Sequence, residues 1–183
     1  MGTSSSSIIV PSYIAKELQL IFLEENLAFE FADGMVRRRG RRNTAEKIAR
    51  AELVLSDPRL SLARGHITKA LKYFRDVTAP DYENVVKEAV CAVEATARAL
   101  FPESGKTLGD VANSLASSGD VPAAIAKTFH NLYAFRSGGE GVGHGGATGG
   151  KATKEIAEYC LGVAACQIAL LFDLASAEPE YPF

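Results

Sequence analysis

Three side chains able to act on a substrate, Arg136, Glu140 and His144, stand in one stretch of the chain. It reads Phe135-Arg136-Ser137-Gly138-Gly139-Glu140-Gly141-Val142-Gly143-His144-Gly145-Gly146 and runs on through Ala147-Thr148-Gly149-Gly150-Lys151. A histidine titrating near neutrality can serve as general acid or base on a ribose 2′-hydroxyl or a leaving oxygen. An arginine can clamp a phosphate and offset the charge that develops on it. Glu140, or Glu94 from a helix upstream, could orient the histidine. The candidate catalytic set is therefore Arg136, His144, Glu140 and Glu94.

What must position these groups is a loop between helices. Half of the sixteen glycines fall between Gly138 and Gly150. Glycine at this density builds no regular element and supplies turns and close approach of backbone to a ligand or partner. Gly138, Gly139, Gly141, Gly143, Gly145 and Gly146 form the loop proper. Apolar helical patterns precede and follow it. At 183 residues and 47% hydrophobic, the chain can bury a core of its own. The simplest division is a disordered tail over residues 1–10 and one helical domain over 11–183.

The helices announce themselves in order. Pro11 starts the first, with Ile14, Leu18, Ile21 and Phe22 on one face. Leu27 to Ala32, Asp33-Gly34 and Met35 to Arg39 spell a β-hairpin over residues 27–39, the only sheet expected. Asn43 and Glu46 have capping-box spacing for a helix to about Leu55. Asp57-Pro58 opens another, with Leu60, Ala63, Ile67, Ala70, Leu71 and Phe74 facing inward. After Pro80-Asp81 the most regular helix carries Tyr82, Val85, Val86, Ala89, Val90, Val93, Ala97 and Leu100 at helical spacing, with Glu94 beside the apolar stripe. Thr107 and Asp110 cap a short helix to about Ser117. Pro122 starts the helix that bears Ile125, Phe129, Leu132 and Tyr133 towards the loop. The last helix, about Lys151 to Ala175, is apolar nearly all round, as befits burial on several sides or a subunit interface. The class is mainly all-α, a helical bundle with a short N-terminal hairpin.

Other motifs weigh less. Gly141 to Gly146 matches G-x-G-x-x-G, but a helix rather than a strand precedes it, so the dinucleotide reading lacks its βαβ context. Gly145 to Lys151 fits G-x-x-x-x-G-K with Ala152 where the magnesium-binding hydroxyl belongs. A glycine loop feeding a helix N-terminus can still hold phosphate through its N–H groups. Arg37, Arg38, Arg39, Arg41 and Arg42, with Lys151, could track a phosphate backbone; the alternative is a charged hairpin edge that discourages strand pairing. Tyr82, Phe129 and Tyr133 fall on apolar faces and read as core. Cys91, Cys160 and Cys166, an odd count at non-ligand spacings, read as buried thiols in a reducing compartment. The apolar run 160–175 is shorter than the ~20 residues of a membrane span. Net charge is −2, so composition alone demands neither nucleic acid nor a membrane. A cytoplasmic protein without metal or cofactor is expected.

From the first helix onward the chain resembles the C-terminal HEPN-type domain of AbiJ-like abortive-infection proteins of bacteria. The resemblance rests on Ala70-Leu71 and Phe74 before Pro80-Asp81-Tyr82-Glu83-Asn84, Lys87-Glu88-Ala89-Val90, Ala92-Val93-Glu94-Ala95, Lys106-Thr107-Leu108-Gly109-Asp110, Leu132-Tyr133 and Gly141-Val142-Gly143-His144-Gly145. It implies a HEPN-like helical bundle, usually a homodimer whose loops meet across the axis. It also implies a toxin-like role in antiphage defence, with a cognate antitoxin or a fused defence domain as partner. Active HEPN ribonucleases cleave RNA without metal through an Arg that stands a few residues before a His. Here the His of that pair is His144 and the Arg is Arg136, eight positions earlier, and Gly143 occupies the place where related domains often carry Arg. Many HEPN domains have lost catalysis and serve as dimerisation, RNA-binding or nucleotide-sensing modules, which is the alternative expectation.

Overall fold

The computed structural model describes residues 12–25, 27, 29–32, 34–38, 41–137 and 152–176. They form α1 (Ser12–Glu24), β1 (Phe29–Ala32), β2 (Met35–Arg38), α2 (Arg42–Val54), α3 (Ser61–Arg75), α4 (Tyr82–Leu100), α5 (Leu108–Ser118), α6 (Ala123–Ser137) and α7 (Lys154–Ser176). Short 3-10 turns at Pro58–Leu60 and Pro102–Ser104 lead out of α2 and α4. The fold is mainly α with a two-stranded antiparallel hairpin near its N-terminus, as the sequence pattern implies.

The hairpin runs in the register Phe29↔Arg38 to Ala32↔Met35, and Gly34 turns the chain at φ +76°, a value most side chains resist. Two strands alone are marginal in water. These are fastened at several points. The N–H of Phe31 donates to Gln19 Oε1 of α1 at 3.0 Å. Glu30 faces Arg75 of α3 at 3.9 Å. The Arg38 guanidinium lies 5.8 Å from the Phe74 ring centre and 5.6 Å from that of Tyr82, and donates through Nη1 to the Tyr82 hydroxyl.

At the centre, α4 is packed by α3 and α7 and touched by α5 and α6. Val85, Val86, Ala89, Val90, Ala92, Val93, Ala95, Thr96 and Ala97 are all buried. Asp81 begins the helix by accepting the Asn84 N–H at 3.0 Å. The inward positions expected for α3 are buried as well. At the start of α5, Thr107 and Asp110 complete the reciprocal capping box that their spacing predicts.

Three expectations need correction. Asn43 and Glu46 do not cap α2: Asn43 Oδ1 accepts only from its neighbour Thr44, and Glu46 pairs with Arg42. The N–H of Arg41, which precedes the helix, goes instead to Glu158 Oε1 of α7 at 2.5 Å. Tyr133, read as core, is 38% exposed, and Ile125 is 43% exposed on an open groove that α6, packing chiefly on α5, leaves towards α7. Of the cysteines, Cys160 is buried, Cys91 half-buried and Cys166 exposed on that same groove. As for α7, it is long and apolar enough to cross a membrane. Its Ala157, Leu161, Ala164, Ile168 and Leu171 are nonetheless buried, and the helix packs on α2 and α4.

Candidate functional site: the polar stripe of α4

One side of the central helix is only partly covered. Asn84, Lys87, Glu88, Cys91, Glu94 and Arg98 recur at steps of three and four, so they align along one side of α4. Every residue between Val85 and Ala97 that lies off this stripe is buried. A helix so thoroughly enclosed has no need of solubilising groups, yet its one open line carries four ionisable side chains and a thiol.

Glu94 and Arg136, two members of the candidate catalytic set, meet here. Arg136 sits in the last turn of α6, and its Nη1 is 3.5 Å from Glu94 Oε2. Arg98, one turn along α4, approaches the other oxygen of the same carboxylate at 3.7 Å. Two guanidiniums thus share one carboxylate, which leaves an excess positive charge at the edge of the stripe. Arg136 also lies 5.9 Å from the ring centre of Tyr133, which is 38% exposed. A planar cation fixed by a carboxylate on one side and an aromatic ring on the other is oriented for bidentate contact with phosphate.

On the opposite flank, His66 of α3 binds Glu88 of α4, with Nδ1 and Oε2 2.6 Å apart. Both side chains are mostly covered, at 22% and 13% exposure. Between the two pairs stands Cys91. Burial pushes its thiol pKa up; Arg136 pulls it back, and Glu88 and Glu94 push it up further. The thiol is therefore held protonated and is not the nucleophile of this surface. Among the described residues, no three of His, Cys, Asp or Glu are grouped so as to hold a metal ion.

The remaining predicted residues are dispersed. His144, Glu140, Lys151, Arg39 and the glycines Gly138, Gly139, Gly141, Gly143, Gly145 and Gly146 lie outside the described residues, as does the tail over 1–10. Arg38, expected among the phosphate-tracking cations, is a packing residue: its side chain is spent on Phe74 and Tyr82, and its Nε is buried without a hydrogen bond. Arg37 is its neighbour on a strand, where successive side chains point to opposite faces, and lines a separate hollow with Glu52, Lys72 and Arg75. Arg41 and Arg42 stand at the start of α2, Arg42 paired with Glu46 at 3.0 Å. Sequence reasoning missed Arg98 and the His66–Glu88 pair. Arg98 was within reach, since it follows Glu94 by four residues on the most regular helix of the chain. The His66–Glu88 pair depends on how α3 and α4 are rotated against each other, which no local spacing encodes.

Comparison of the chain with family models, with curated proteins and with solved structures returned no match.

Proposed function

We propose that this chain is a HEPN-type domain of a bacterial antiphage or toxin–antitoxin system that engages RNA at the α4 stripe. In this reading Arg136 holds a phosphate and His144 transfers a proton during metal-free transesterification. The observation that carries it is the Glu94–Arg136–Arg98 cluster: a carboxylate on the core helix presents two guanidiniums at the base of the segment in which His144 lies. An arginine tied to one carboxylate and backed by a ring is pre-oriented, so little side-chain freedom remains to be lost when phosphate binds. The protein would act in the cytoplasm as a homodimer, restrained by a neutralising partner or by a fused defence domain.

A second reading, a non-catalytic dimerisation, RNA-binding or nucleotide-sensing module, is favoured by one observation. Adjoining hollows of about 430 and 360 Å³ open between α6 and α7, lined by Ile125, Phe129, Phe135, Ile156, Tyr159 and Val163 among others. Apolar surface of this kind is what an interaction module presents.

The deciding experiment is RNA cleavage by purified protein in EDTA, beside Arg136→Ala and His144→Ala variants matched for thermal stability, with sedimentation to count subunits. Cleavage that leaves 2′,3′-cyclic phosphate ends and disappears in both variants supports the ribonuclease. Cleavage persisting in both removes these residues from the mechanism. A dimer that binds RNA without cleaving it favours the module.

A further inference from the structure

A two-stranded sheet has two outer edges, and in this hairpin they are not alike. Phe31 stands opposite Val36 in the register, and its N–H donates away from β2, to Gln19 Oε1 of α1 at 3.0 Å. In an antiparallel ladder this marks a non-hydrogen-bonded pair, so the N–H and C=O of Val36 turn away from β1 in the same manner. The outer edge of β1 is thus covered by α1. Among the described residues nothing bonds the backbone of Val36.

This open edge borders the hollow of about 630 Å³ beside the end of α3. Met35, Val36 and Arg37 all line it, and successive strand residues point to opposite faces, so the hollow runs along the edge of β2 rather than beneath one face. Its far wall is a stripe of α3 bearing Thr68, Lys72 and Arg75. We propose that this edge takes up an extended acidic segment of a partner protein, which adds to β2 as a third strand. The inference stands apart from RNA engagement at the α4 stripe.

Charge sets the chemistry of the segment. Arg37, Lys72 and Arg75 bring three positive charges to the hollow against two carboxylates, Glu52 and Asp76. Asp76 is already committed, since its Oδ1 accepts the N–H groups of Thr78 and Ala79, both at 2.9 Å. Arg75 is poorly paired: its side chain is 34% exposed, Glu30 stands off at 3.9 Å, and its Nε is buried without a hydrogen bond. A guanidinium largely withdrawn from water and held so loosely gains from a carboxylate brought in from outside. Glu30 lies opposite Arg37 and shares its face of the hairpin, so acidic side chains of the added strand belong on that face. Apolar ones alternate with them, towards the exposed Val36. The same charges choose among partners. A second copy of this edge would set arginine against arginine, which discourages pairing, whereas an acidic strand meets no such barrier. Main-chain hydrogen bonds to Val36 supply affinity, and the alternating side chains supply specificity.

The test uses the full chain and a fluorescent peptide of sequence TVEVEVEVT, followed by anisotropy, beside the scrambled TVVEEVVET and the cationic TVKVKVKVT. Val36→Pro removes the outward N–H without touching the bonds to β1, a change that an edge strand tolerates. Lys72→Glu, at an exposed helix position, carries the test if the proline variant fails to fold. The alternating acidic peptide should bind the wild type, with the other two peptides weaker by about 10-fold or more. Each variant should lose about 10-fold or more of that affinity, and the Val36 amide should gain protection from hydrogen exchange when the peptide is bound. No binding by the wild type overturns the proposal. Equal binding of the scrambled peptide, or affinity kept in a folded Val36→Pro, shows a contact of charge alone and overturns strand addition. A single-stranded RNA that displaces the peptide and itself loses affinity in Lys72→Glu overturns it in favour of nucleic acid. A dimer in sedimentation that Val36→Pro dissolves overturns it in favour of a second copy.

Discussion

Glu94 and Arg136 are 42 positions apart in the chain and 3.5 Å apart in the fold, one in the middle of the core helix and the other in the last turn of α6. The pair is only partly shielded, at 18% and 26% exposure, so its own contribution to stability is small. Its importance is to direct a guanidinium.

Arg136→Ala should weaken binding of a single-stranded RNA. It should also reduce the slope of log affinity against log salt by roughly 0.7, the share of one phosphate on a single strand. Glu94→Gln should weaken binding too, because Arg136 and Arg98 lose the carboxylate that directs them, with a smaller change in slope. Fluorescence anisotropy over a salt series reads both. Unchanged slopes in both variants would remove the stripe from RNA binding.

Arg38→Ala should behave as a packing mutation rather than a loss of charge. It removes a cation held between two rings and the hydroxyl contact with Tyr82, a cost of about 1–2 kcal/mol. Urea unfolding measures it. RNA affinity should stay within error of wild type, and a loss equal to that of Arg136→Ala would return Arg38 to the phosphate-binding set.

The capping box of α5 gives a pH signature. The Thr107 side chain, and then its backbone N–H, hold the Asp110 carboxyl below its ordinary 3.8. A depressed folded-state value means that this stabilisation is present above the unfolded pKa and is lost as pH falls through the folded one. Asp110→Asn should therefore melt below wild type at pH 7, with the two curves converging below pH 3.8. A gap that stays constant down to pH 2 would show that the charge of Asp110 is not what caps the helix.

Thiol labelling should follow exposure and burial. Cys166 is open to solvent, Cys91 is half-buried with its thiol pKa pushed up, and burial raises Cys160 to about 11. At pH 8 an alkylating reagent followed by peptide mass mapping should find Cys166 modified first, Cys91 slowly and Cys160 only on unfolding. Early labelling of Cys160 would mean that α7 opens readily.

Local signals carried the fold a long way. Asp-Gly between β-prone runs, Thr107 with Asp110, and the apolar spacing of α3 and α4 each specify structure within a few residues, and each is present. The failures share a cause, which is that a distant element decides. Arg38 stands in a run of charge that reads as solvated until α3 and α4 place two rings around it. Because α7 is apolar nearly all round, no period marks the side bearing Cys166 as the open one. Asn43 has a capping residue's identity and spacing, but α2 begins ahead of it at Arg42, where Glu158 of α7 holds the N–H of Arg41. For the site, Glu94 and Arg136 were legible as residue types; that they meet, and that His66 and Glu88 border the same stripe, was not.

The bond between Glu158 and Arg41 bears on the order in which the molecule can be made. A ribosome delivers Arg41 117 residues before the side chain that takes its N–H. Until Glu158 emerges, the start of α2 must turn to water, and Ile48 and Ala51 lack α7, one of the surfaces they are buried against. The N-terminal half of the domain is thus completed from its C-terminal side. A nascent chain arrested before α7 should be readily cut by protease within α2, and release of the last helix should close that window.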